Sequence, residues 1–362
     1  MNRRKFLAAG GVGLAAGSVA APAIAQSMPK LNWRMTASWP KSLDTIYGGA
    51  DYMAKRIAEM TDNNFQIRLF AAGEIVPALQ VLDAVQNGTV EMGHTASYYY
   101  VGKDPTFTFD STVPFGMNFR AMNSWLRHGG GQALINDFMA GYNVVAFPAG
   151  NTGTQAGGWW RKEINTVADL NGIKFRIGGW GGAVLTKLGV VPQQIGGPDI
   201  YPALEKGTID AAEWVGPYDD EKLGFYKIAK YYYAPGWWEG QTNLSAYVNL
   251  EKWNSLPKVY QSVIQVAAGD ANTWTLGKYD IDNPAALRRL IAAGTQLRYF
   301  SRPIMEACFK ASRELYAEES ARNPKFKKIF DQWSPFLATE DEWFRVEEQQ
   351  FDNFMYAKVG AT

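Results

Sequence analysis

The stretch YNVVAFPAGNTGTQAGGWW, residues 142–160, begins as an apolar strand and then becomes polar and glycine-rich before two tryptophans. This pattern predicts a strand that leaves one lobe and a segment that crosses into a second lobe. The stretch QTNLSAYVNLEKW, residues 241–253, predicts a strand that returns to the first lobe. Two crossings between two lobes are typical of a hinged clamshell that encloses a small ligand in the cleft between them.

The residues before the first crossing alternate between strand and helix patterns. The expected strands are 31–39, 65–73 and 90–96, and the expected helices are 46–60 and 74–88. Short apolar strands that alternate with helices indicate a mainly parallel α/β sheet. From residue 257 onward the pattern is helical, and the apolar periodicity over 260–276 and 303–320 predicts helices that back both lobes.

One motif occurs in both halves of the chain. Residues 84–91, AVQNGTVE, match residues 203–210, ALEKGTID, as a helix end, a Gly-Thr turn and a strand start with an acidic residue. Chance is an alternative explanation for so short a match, although Pro-Ala-Leu also occurs at or before both copies. We interpret the match as one βαβ device used once in each lobe. The lack of a third copy argues against a solenoid.

These patterns divide the chain into four parts. The first lobe comprises 27–150 and about 239–280, the second lobe comprises 151–238 and about 281–340, a signal peptide covers 1–25, and a C-terminal helix covers 341–362. That last helix is rich in large apolar side chains, namely Trp343, Phe344, Val346, Phe351, Phe354 and Met355. The stripe either packs on its own chain or forms a contact in a homodimer.

Composition excludes several classes of site. The 36 lysines and arginines balance 35 acidic residues, so no basic face for a nucleic acid is expected. Cys308 is the single cysteine, which rules out an intramolecular disulfide and a cysteine-based metal cage. With only His94 and His128, a His-rich zinc site is excluded and few general bases remain.

The first residues have the features of an export signal. Arg3 and Arg4 precede Phe6 and Leu7, an Ala/Gly stretch follows, and residues 23–25, AIA, form a small-x-small cleavage site. Paired arginines before Phe-Leu match the twin-arginine signal. The alternative is a membrane anchor, but the stretch is too short and too polar for a span of about 20 apolar residues. We therefore expect a mature protein in the periplasm.

Arg176 stands where the buried strand of IKFRIGGWGG, residues 173–182, calls for an apolar side chain. An unpaired guanidinium inside a lobe would be very costly. Arg176 either forms an internal ion pair or binds a ligand carboxylate through its planar fork. Its position at the carboxyl end of a strand, where open α/β sheets bind ligands, favours the second interpretation. We expect the glycines that follow to admit a ligand or to turn tightly.

Carboxylates and amides accumulate near the predicted crossings. Glu213 follows a small-residue strand, Glu239 lies at the return crossing, and Asn151 and Gln155 lie at the outgoing one. Oxygen ligands of this kind suit sodium or calcium better than zinc. The alternatives are that Glu213 pairs with Arg176 and that Glu239 is a solvated loop residue.

Aromatic residues also accumulate near the cleft. Tyr98, Tyr99 and Tyr100 follow a strand of the first lobe, and strand alternation would send about half of them toward the cleft. Tryptophans expected on the cleft side suggest a small, dehydrated pocket; they are Trp159, Trp180, Trp214 and Trp237.

These stretches resemble the solute receptors of tripartite ATP-independent periplasmic (TRAP) transporters, the DctP-type binding proteins. The resemblance covers nearly the whole mature chain and is carried by LFAAGEIVPALQVLDAVQNGTVEMG, DLNGIKFRIGGWGGAVLTKLGVVPQQI and YPALEKGTIDAAEW. The family segment L-x-G-x-K-x-R matches residues 170–176, and its arginine clamps the ligand carboxylate. The resemblance implies two lobes, a long helix that spans both, and delivery of organic acids to a sodium-driven membrane permease.

Glu213-Trp214 and Glu239 resemble the branch that binds 2-oxo or 2-hydroxy monocarboxylates with a cation. In that branch Gln155, Glu213, the carbonyl of Trp214 and Glu239 would be ligands of Na⁺ or Ca²⁺. Residues matching Tyr100 and Asn151 would complete the substrate site, together with Arg176, Gln155 and Trp214. Members of the branch can also dimerise through the C-terminal helical region.

Two further functions remain possible from the sequence. A secreted metal-dependent α/β enzyme could act on a small carboxylic acid with Glu213 as base. The mature sequence contains no GxSxG elbow, HExxH helix or GxxxxGK[ST] loop, and no nucleophile–base pair is evident, which favours a receptor. A sensor domain that reports ligand occupancy to a membrane partner would share the same site.

Overall fold

The computed structural model describes residues 28–358, and eleven strands in this part of the chain form two sheets. The expected signal peptide lies outside the described residues. The strands are β1 (Leu31–Ala37), β2 (Phe65–Phe70), β3 (Met92–Thr95), β4 (Val144–Asn151), β5 (Trp159–Trp160), β6 (Lys174–Arg176), β7 (Val191–Gln193), β8 (Ala211–Ala212), β9 (Tyr231–Ala234), β10 (Asn243–Asn249) and β11 (Gln296–Tyr299).

The helices cover these sheets and dominate the C-terminal third. They are α1 (Ile46–Met60), α2 (Val81–Gln86), α3 (Thr108–Ser111), α4 (Phe119–Arg127), α5 (Gly131–Ala140), α6 (Gly179–Thr186), α7 (Gly197–Glu205), α8 (Pro217–Leu223), α9 (Leu250–Ser255), α10 (Lys258–Ala292), α11 (Arg302–Arg322), α12 (Pro324–Val346) and α13 (Glu348–Tyr356). None of the helices within 28–358 combines the length and hydrophobicity of a membrane span.

The two sheets confirm the predicted two-lobed α/β fold. The first sheet has the order β2-β1-β3-β10-β4, and the second has the order β11-β9-β5-β8-β6-β7. The chain leaves the first sheet after β4 and returns to it with β10, so both crossings occur where the sequence predicts them. Strands β1, β2 and β3 are parallel, whereas β10 runs antiparallel to both of its neighbours.

The repeated motif adopts the same local structure in both lobes. Gly88 and Gly207 each have a φ of 72°, a left-handed conformation that glycine adopts without a steric penalty. After each glycine the chain bonds back to the preceding helix, from Val90 N to Ala84 O at 3.3 Å and from Ile209 N to Ala203 O at 3.4 Å.

The acidic residue that ends each copy also has the same role. Glu91 accepts a hydrogen bond from the backbone N–H of Arg34 in β1, and Asp210 accepts one from the backbone N–H of Lys174 in β6. Each carboxylate therefore ties the new strand to the neighbouring parallel strand of its own lobe. This correspondence supports the interpretation of one device used twice.

Helix α10 connects the two lobes along one side. Its 35 residues correspond to a length of about 52 Å at 1.5 Å per residue. It packs on β4 and α1 of the first lobe and on α8 of the second lobe. The long helix expected from the resemblance is therefore present.

The C-terminal helices differ from the predicted lobe boundary. The sequence places the second lobe up to residue 340; α11 packs on α6 of that lobe, whereas α12 packs on α4 and α5 of the first lobe and contacts α6 through Phe326, which stacks on Trp180. The chain crosses a third time along α10, to β11 of the second sheet, and a fourth time between α11 and α12. Beyond residue 340, α12 continues to Val346 and α13 follows, and their large apolar side chains are mostly exposed: Trp343, Val346, Phe351, Phe354, Met355 and Tyr356.

Candidate functional site

Arg176 ends β6 and is completely buried. Its Nε donates to the carbonyl of Ile195 at 3.0 Å, and its Nη1 donates to the carbonyl of Glu213 at 2.8 Å and to the Glu213 carboxylate. The guanidinium lies over the indole ring of Trp214, 5.0 Å from the ring centroid. Within the part of the chain that the structure describes, Nη2 has no hydrogen-bond partner. The buried fork is therefore held rigidly and still has one donor group available.

Glu213 follows β8 directly, and β8 pairs with β6, so the two side chains emerge at the same edge of the second sheet. Its Oε1 accepts from Arg176 and from Gly178 N at 2.9 Å, whereas Oε2 has no partner among the described residues. Burial raises the pKa of Glu213, and the charge of Arg176 opposes that shift. The ion pair considered as an alternative does form, but it uses only one nitrogen and one oxygen.

Glu239 is buried as deeply as Glu213, with 1% of its surface exposed, which excludes a solvated loop residue. Burial raises its pKa well above the usual value, and the nearby charge of Glu213 adds to the shift. No described residue donates a hydrogen bond to its Oε1. The site thus holds two buried carboxylates and one buried guanidinium.

Gln155 connects Glu239 to the backbone of Trp214. One terminal atom of its amide lies 3.2 Å from Thr152 Oγ1 and 3.0 Å from Thr242 Oγ1. The other lies 2.6 Å from the carbonyl oxygen of Trp214 and 2.5 Å from Glu239 Oε2. The oxygen and the nitrogen of an amide have nearly the same shape, so either can occupy each position. The oxygen accepts hydrogen bonds or binds a cation, whereas the nitrogen donates hydrogen bonds.

The two orientations of the Gln155 amide differ in what they require. With the nitrogen toward Trp214 and Glu239, the amide donates two hydrogen bonds. With the oxygen there, three oxygens meet without a hydrogen between them, an arrangement that a cation stabilises. An amide, a carbonyl and two carboxylates are a donor set that suits Na⁺ or Ca²⁺. Of the residues expected as cation ligands, Gln155, the carbonyl of Trp214 and Glu239 lie within contact of one another, and Glu213 lies near enough for its charge to raise the pKa of Glu239.

A narrow cavity of about 10 Å³, enough for about one water molecule, adjoins Gln155. Its polar wall consists of Gln155 with Thr152 and Thr242, and the rest of the wall is aromatic or aliphatic: Trp39, Ile46, Tyr98, Tyr99, Trp214, Val215 and Leu244. The lining presents one polar and one apolar end, and the side chains around it must move apart to admit a ligand larger than water.

Three expected substrate residues, Arg176, Tyr100 and Asn151, are not among the residues that line this cavity. The hydroxyl of Tyr100 is bonded to Leu82 N at 3.1 Å and to Thr95 Oγ1 at 2.9 Å, inside the first lobe. Tyr98 and Tyr99 line the cavity instead. Asn151 donates to Gln241 Oε1 at 2.5 Å and accepts from Gly153 N at 3.0 Å. Its amide therefore joins the two crossing segments.

The glycines after Arg176 admit a protein side chain. A Cβ atom at Gly178 would lie 2.4 Å from the ring of Tyr98, and one at Gly179 would lie 2.9 Å from its Cβ. Gly179 also has a φ of 59°. The two lobes thus approach each other closely here, through a tyrosine of the first lobe and the start of α6 in the second.

Trp39 is a cavity residue that the sequence reasoning did not select. It lies two residues beyond the end of β1 and is 2% exposed. The carboxyl ends of the parallel strands β1 and β3 lie at the same edge of the first sheet. Open α/β sheets bind ligands at such edges, and this signal, which indicates Arg176, also indicates Trp39.

Comparison with known proteins gives consistent relatives. The profile of "Bacterial extracellular solute-binding protein, family 7" (DctP) matches residues 36–323. A monocarboxylate 2-oxoacid-binding periplasmic protein of Nostoc sp. (strain PCC 7120) is 52% identical over 327 residues, which are 90% of each chain.

Two crystal structures have the same fold. A TRAP transporter solute-binding protein of Bordetella bronchiseptica RB50 is 52% identical with a TM-score of 0.91, over 92% of this chain and 99% of that one; it is a mixed-occupancy dimer with copurified calcium and picolinate. A TRAP periplasmic solute-binding protein of Pseudoalteromonas atlantica T6c, with bound sodium and pyruvate, is 39% identical with a TM-score of 0.86, over 89% and 98% of the two chains.

Proposed function

The chain belongs to the bacterial extracellular solute-binding protein family 7, the receptors of TRAP transporters, and we propose that it captures a small 2-oxo or 2-hydroxy monocarboxylate together with Na⁺ or Ca²⁺. Membership of this family makes the chain a binding receptor rather than an enzyme. Pyruvate is the simplest acid of the proposed class.

The observation that carries this proposal is the set of unpartnered polar atoms on three buried charged side chains. Arg176 Nη2, Glu213 Oε2 and Glu239 Oε1 all lack a partner among residues 28–358. A buried donor or acceptor without a partner destabilises the folded state by about 1–3 kcal/mol, and by more where the group is charged. A ligand with both an anionic group and an associated cation supplies partners for all three.

Arg176 binds the acid through Nη2, because Nη1 is occupied by Glu213. The contact is therefore one charged hydrogen bond rather than the two-pronged fork expected from the sequence. A hydroxyl of Tyr98 or Tyr99 takes the part expected of Tyr100, since these two tyrosines line the cavity. Asn151 supports the site indirectly through its bond to Gln241.

The cation is held by Gln155, Glu213, the carbonyl of Trp214 and Glu239. The 2.6 Å and 2.5 Å approaches of the Gln155 amide to its neighbours support this set. When bound, the cation supplies a positive charge for the ligand oxygens. A 2-oxo or 2-hydroxy oxygen next to the carboxylate gives the acid a second oxygen that can bind the cation. The site should therefore prefer such acids to simple fatty acids.

The proposed setting is the periplasm, where the receptor passes its acid to the membrane permease of a TRAP transporter. Export by the twin-arginine route is part of the proposal and is supported by Arg3, Arg4 and the small-residue site at 23–25. The exposed apolar side chains of α12 and α13 support a homodimer formed through the C-terminal helices.

Native mass spectrometry and calorimetry test the proposal. Native spectra of protein purified from its host should show one small acid and one cation per chain, with the acid released unchanged in mass. Titration with pyruvate in the presence of Na⁺ or Ca²⁺ should give one site per chain, while acetate, which lacks the adjacent oxygen, should bind far more weakly. Equal affinity for acetate and pyruvate, or conversion of the acid, would contradict the proposal.

A further inference from the structure

Trp39 is fixed in one orientation by a buried histidine. The indole Nε1–H of Trp39 donates to His94 Nδ1 at 2.8 Å, and His94 Nε2 lies 3.2 Å from the carbonyl oxygen of Ala149 in β4. A carbonyl oxygen can only accept, so Nε2 carries the hydrogen and Nδ1 presents its lone pair to the indole. Both ring nitrogens are thus used, and His94 is neutral.

The backbone around Trp39 is fixed to the same strand. Ser38 N donates to His94 O at 3.0 Å, and the hydroxyls of Ser38 and Thr95 are 2.7 Å apart. Both His94 and Thr95 belong to β3 and are completely buried. The indole therefore has little freedom to rotate or to move outward when a larger ligand enters.

Trp39 also forms the contact between lobes at the cavity wall. Its ring centroid lies 6.4 Å from that of Trp214 in the second lobe and 6.0 Å from that of Tyr99 in the first, and all three residues line the cavity. The polar end of the cavity holds Gln155, next to the proposed cation ligands. Trp39 belongs to the wall that remains for the hydrocarbon part of the ligand.

We propose that Trp39, held by the positioning residue His94, sets the length of the acid side chain that the closed cleft accepts. This inference rests on the proposed function, because it assumes that a 2-oxo acid occupies the cavity. A rigid indole excludes additional methylene groups, and one methylene group in an apolar pocket changes affinity by about 10- to 200-fold. A smaller side chain at this position should therefore shift the preference toward longer acids.

The test is calorimetric titration of the full-length mature chain with pyruvate, 2-oxobutyrate and 2-oxovalerate at constant Na⁺ and Ca²⁺. We expect Trp39→Leu to weaken pyruvate binding and to lower the ratio of the 2-oxovalerate Kd to the pyruvate Kd about tenfold. The matched control is Trp33→Leu, which changes a buried tryptophan of β1 that packs on Phe65 and does not line the cavity. The control should leave the ratio unchanged.

His94 variants test the positioning role separately. His94→Leu removes the acceptor for the indole and should lower the same ratio, whereas His94→Asn keeps an acceptor and should restore it. The indole N–H of Trp39 should exchange with solvent faster in His94→Leu than in the wild type, as measured by NMR. If Trp39→Leu does not fold, Trp39→Phe provides the same comparison with a smaller change in volume.

The outcomes separate the inference from the function on which it rests. A wild-type chain that binds none of the three acids contradicts the proposed function and the inference together. A wild-type chain that binds pyruvate, with a Kd ratio that is the same in Trp39→Leu and Trp39→Phe, overturns only the inference.

Discussion

Replacing Arg176 with lysine removes a hydrogen-bond donor from the ligand site while keeping the positive charge in the buried cluster. The planar guanidinium points donors in three directions. Nε donates to Ile195, Nη1 donates to Glu213, and Nη2 remains available for the ligand. A lysine ammonium is a compact point charge, and it cannot donate to all three of these positions at once. We expect it to remain with Glu213, because separating the two buried charges costs more than losing the ligand contact.

The expected magnitude follows from the single free nitrogen. A hydrogen bond to a charged group contributes about 1.5–3 kcal/mol. Since about 1.4 kcal/mol corresponds to a tenfold change in affinity, Arg176→Lys should weaken pyruvate binding about 10- to 150-fold. Arg176→Met should abolish binding and also destabilise the fold, because it leaves Glu213 buried without its counter-charge.

Isothermal titration calorimetry with pyruvate at fixed Na⁺ and Ca²⁺ concentrations measures this effect. A thermal unfolding curve checks that the Arg176→Lys variant is folded. The matched control is Arg298→Lys, an arginine of the second lobe that forms a partly exposed pair with Glu163 at 2.6 Å. The control should bind pyruvate like the wild type. A folded Arg176→Lys variant with wild-type affinity would refute the reasoning, since the free Nη2 would then have no part in binding.

Three further results are expected. Glu239→Gln removes one carboxylate from the proposed cation set, so the Na⁺ or Ca²⁺ concentration that half-saturates pyruvate binding should rise about tenfold or more; an unchanged concentration would remove Glu239 from the set. Burial lowers the pKa of His94 from 6.5 to about 4, so the stability that this residue contributes is complete above pH 6.5 and is lost as the pH falls toward 4. In denaturant titrations the free energy of unfolding of the wild type relative to His94→Asn should therefore fall by about 3 kcal/mol over that window, with His128→Asn as the control on an exposed histidine. Finally, changing both Phe351 and Phe354 to serine should convert the proposed dimer to a monomer in light scattering, whereas Phe309→Ser, which alters an exposed phenylalanine on α11, should not; a monomeric wild type would contradict the dimer.

The crossings could be predicted because they combine two local signals. An apolar strand followed by a polar, glycine-rich segment marks the exit at residues 142–160, and the repeated Gly-Thr turn shows that both lobes use one device. The crossing between α11 and α12 could not be predicted in the same way. The periodicity of α11 and α12 identifies their apolar faces, but the lobe against which each face packs depends on contacts such as that between Phe109 and Phe326, with ring centroids 4.7 Å apart.

The charged residues of the site can be predicted from the sequence more readily than the aromatic residues. Arg176 and Glu213 lie at the ends of paired strands, so strand order alone brings them together. The tyrosines follow a different geometry, because Ser97–Tyr100 is a 3-10 turn rather than the continuation of β3. Successive residues of such a turn point about 120° apart, and the two-residue alternation of a strand therefore does not identify which tyrosine faces the cavity.

The charges of the buried site explain why an acid and a cation should bind together. Burial raises the pKa of Glu213 and of Glu239; when both are ionised they contribute two negative charges against the one positive charge of Arg176, so a bound carboxylate increases an existing negative excess. That excess is unfavourable in a site with little water. Sodium removes part of it and calcium removes all of it when these groups are ionised. Since coupling between two ligands is reciprocal, the cation strengthens acid binding by the factor by which the acid strengthens cation binding. An uncharged ligand adds no negative charge and gains little from this coupling, so the cation itself makes the site selective for acids.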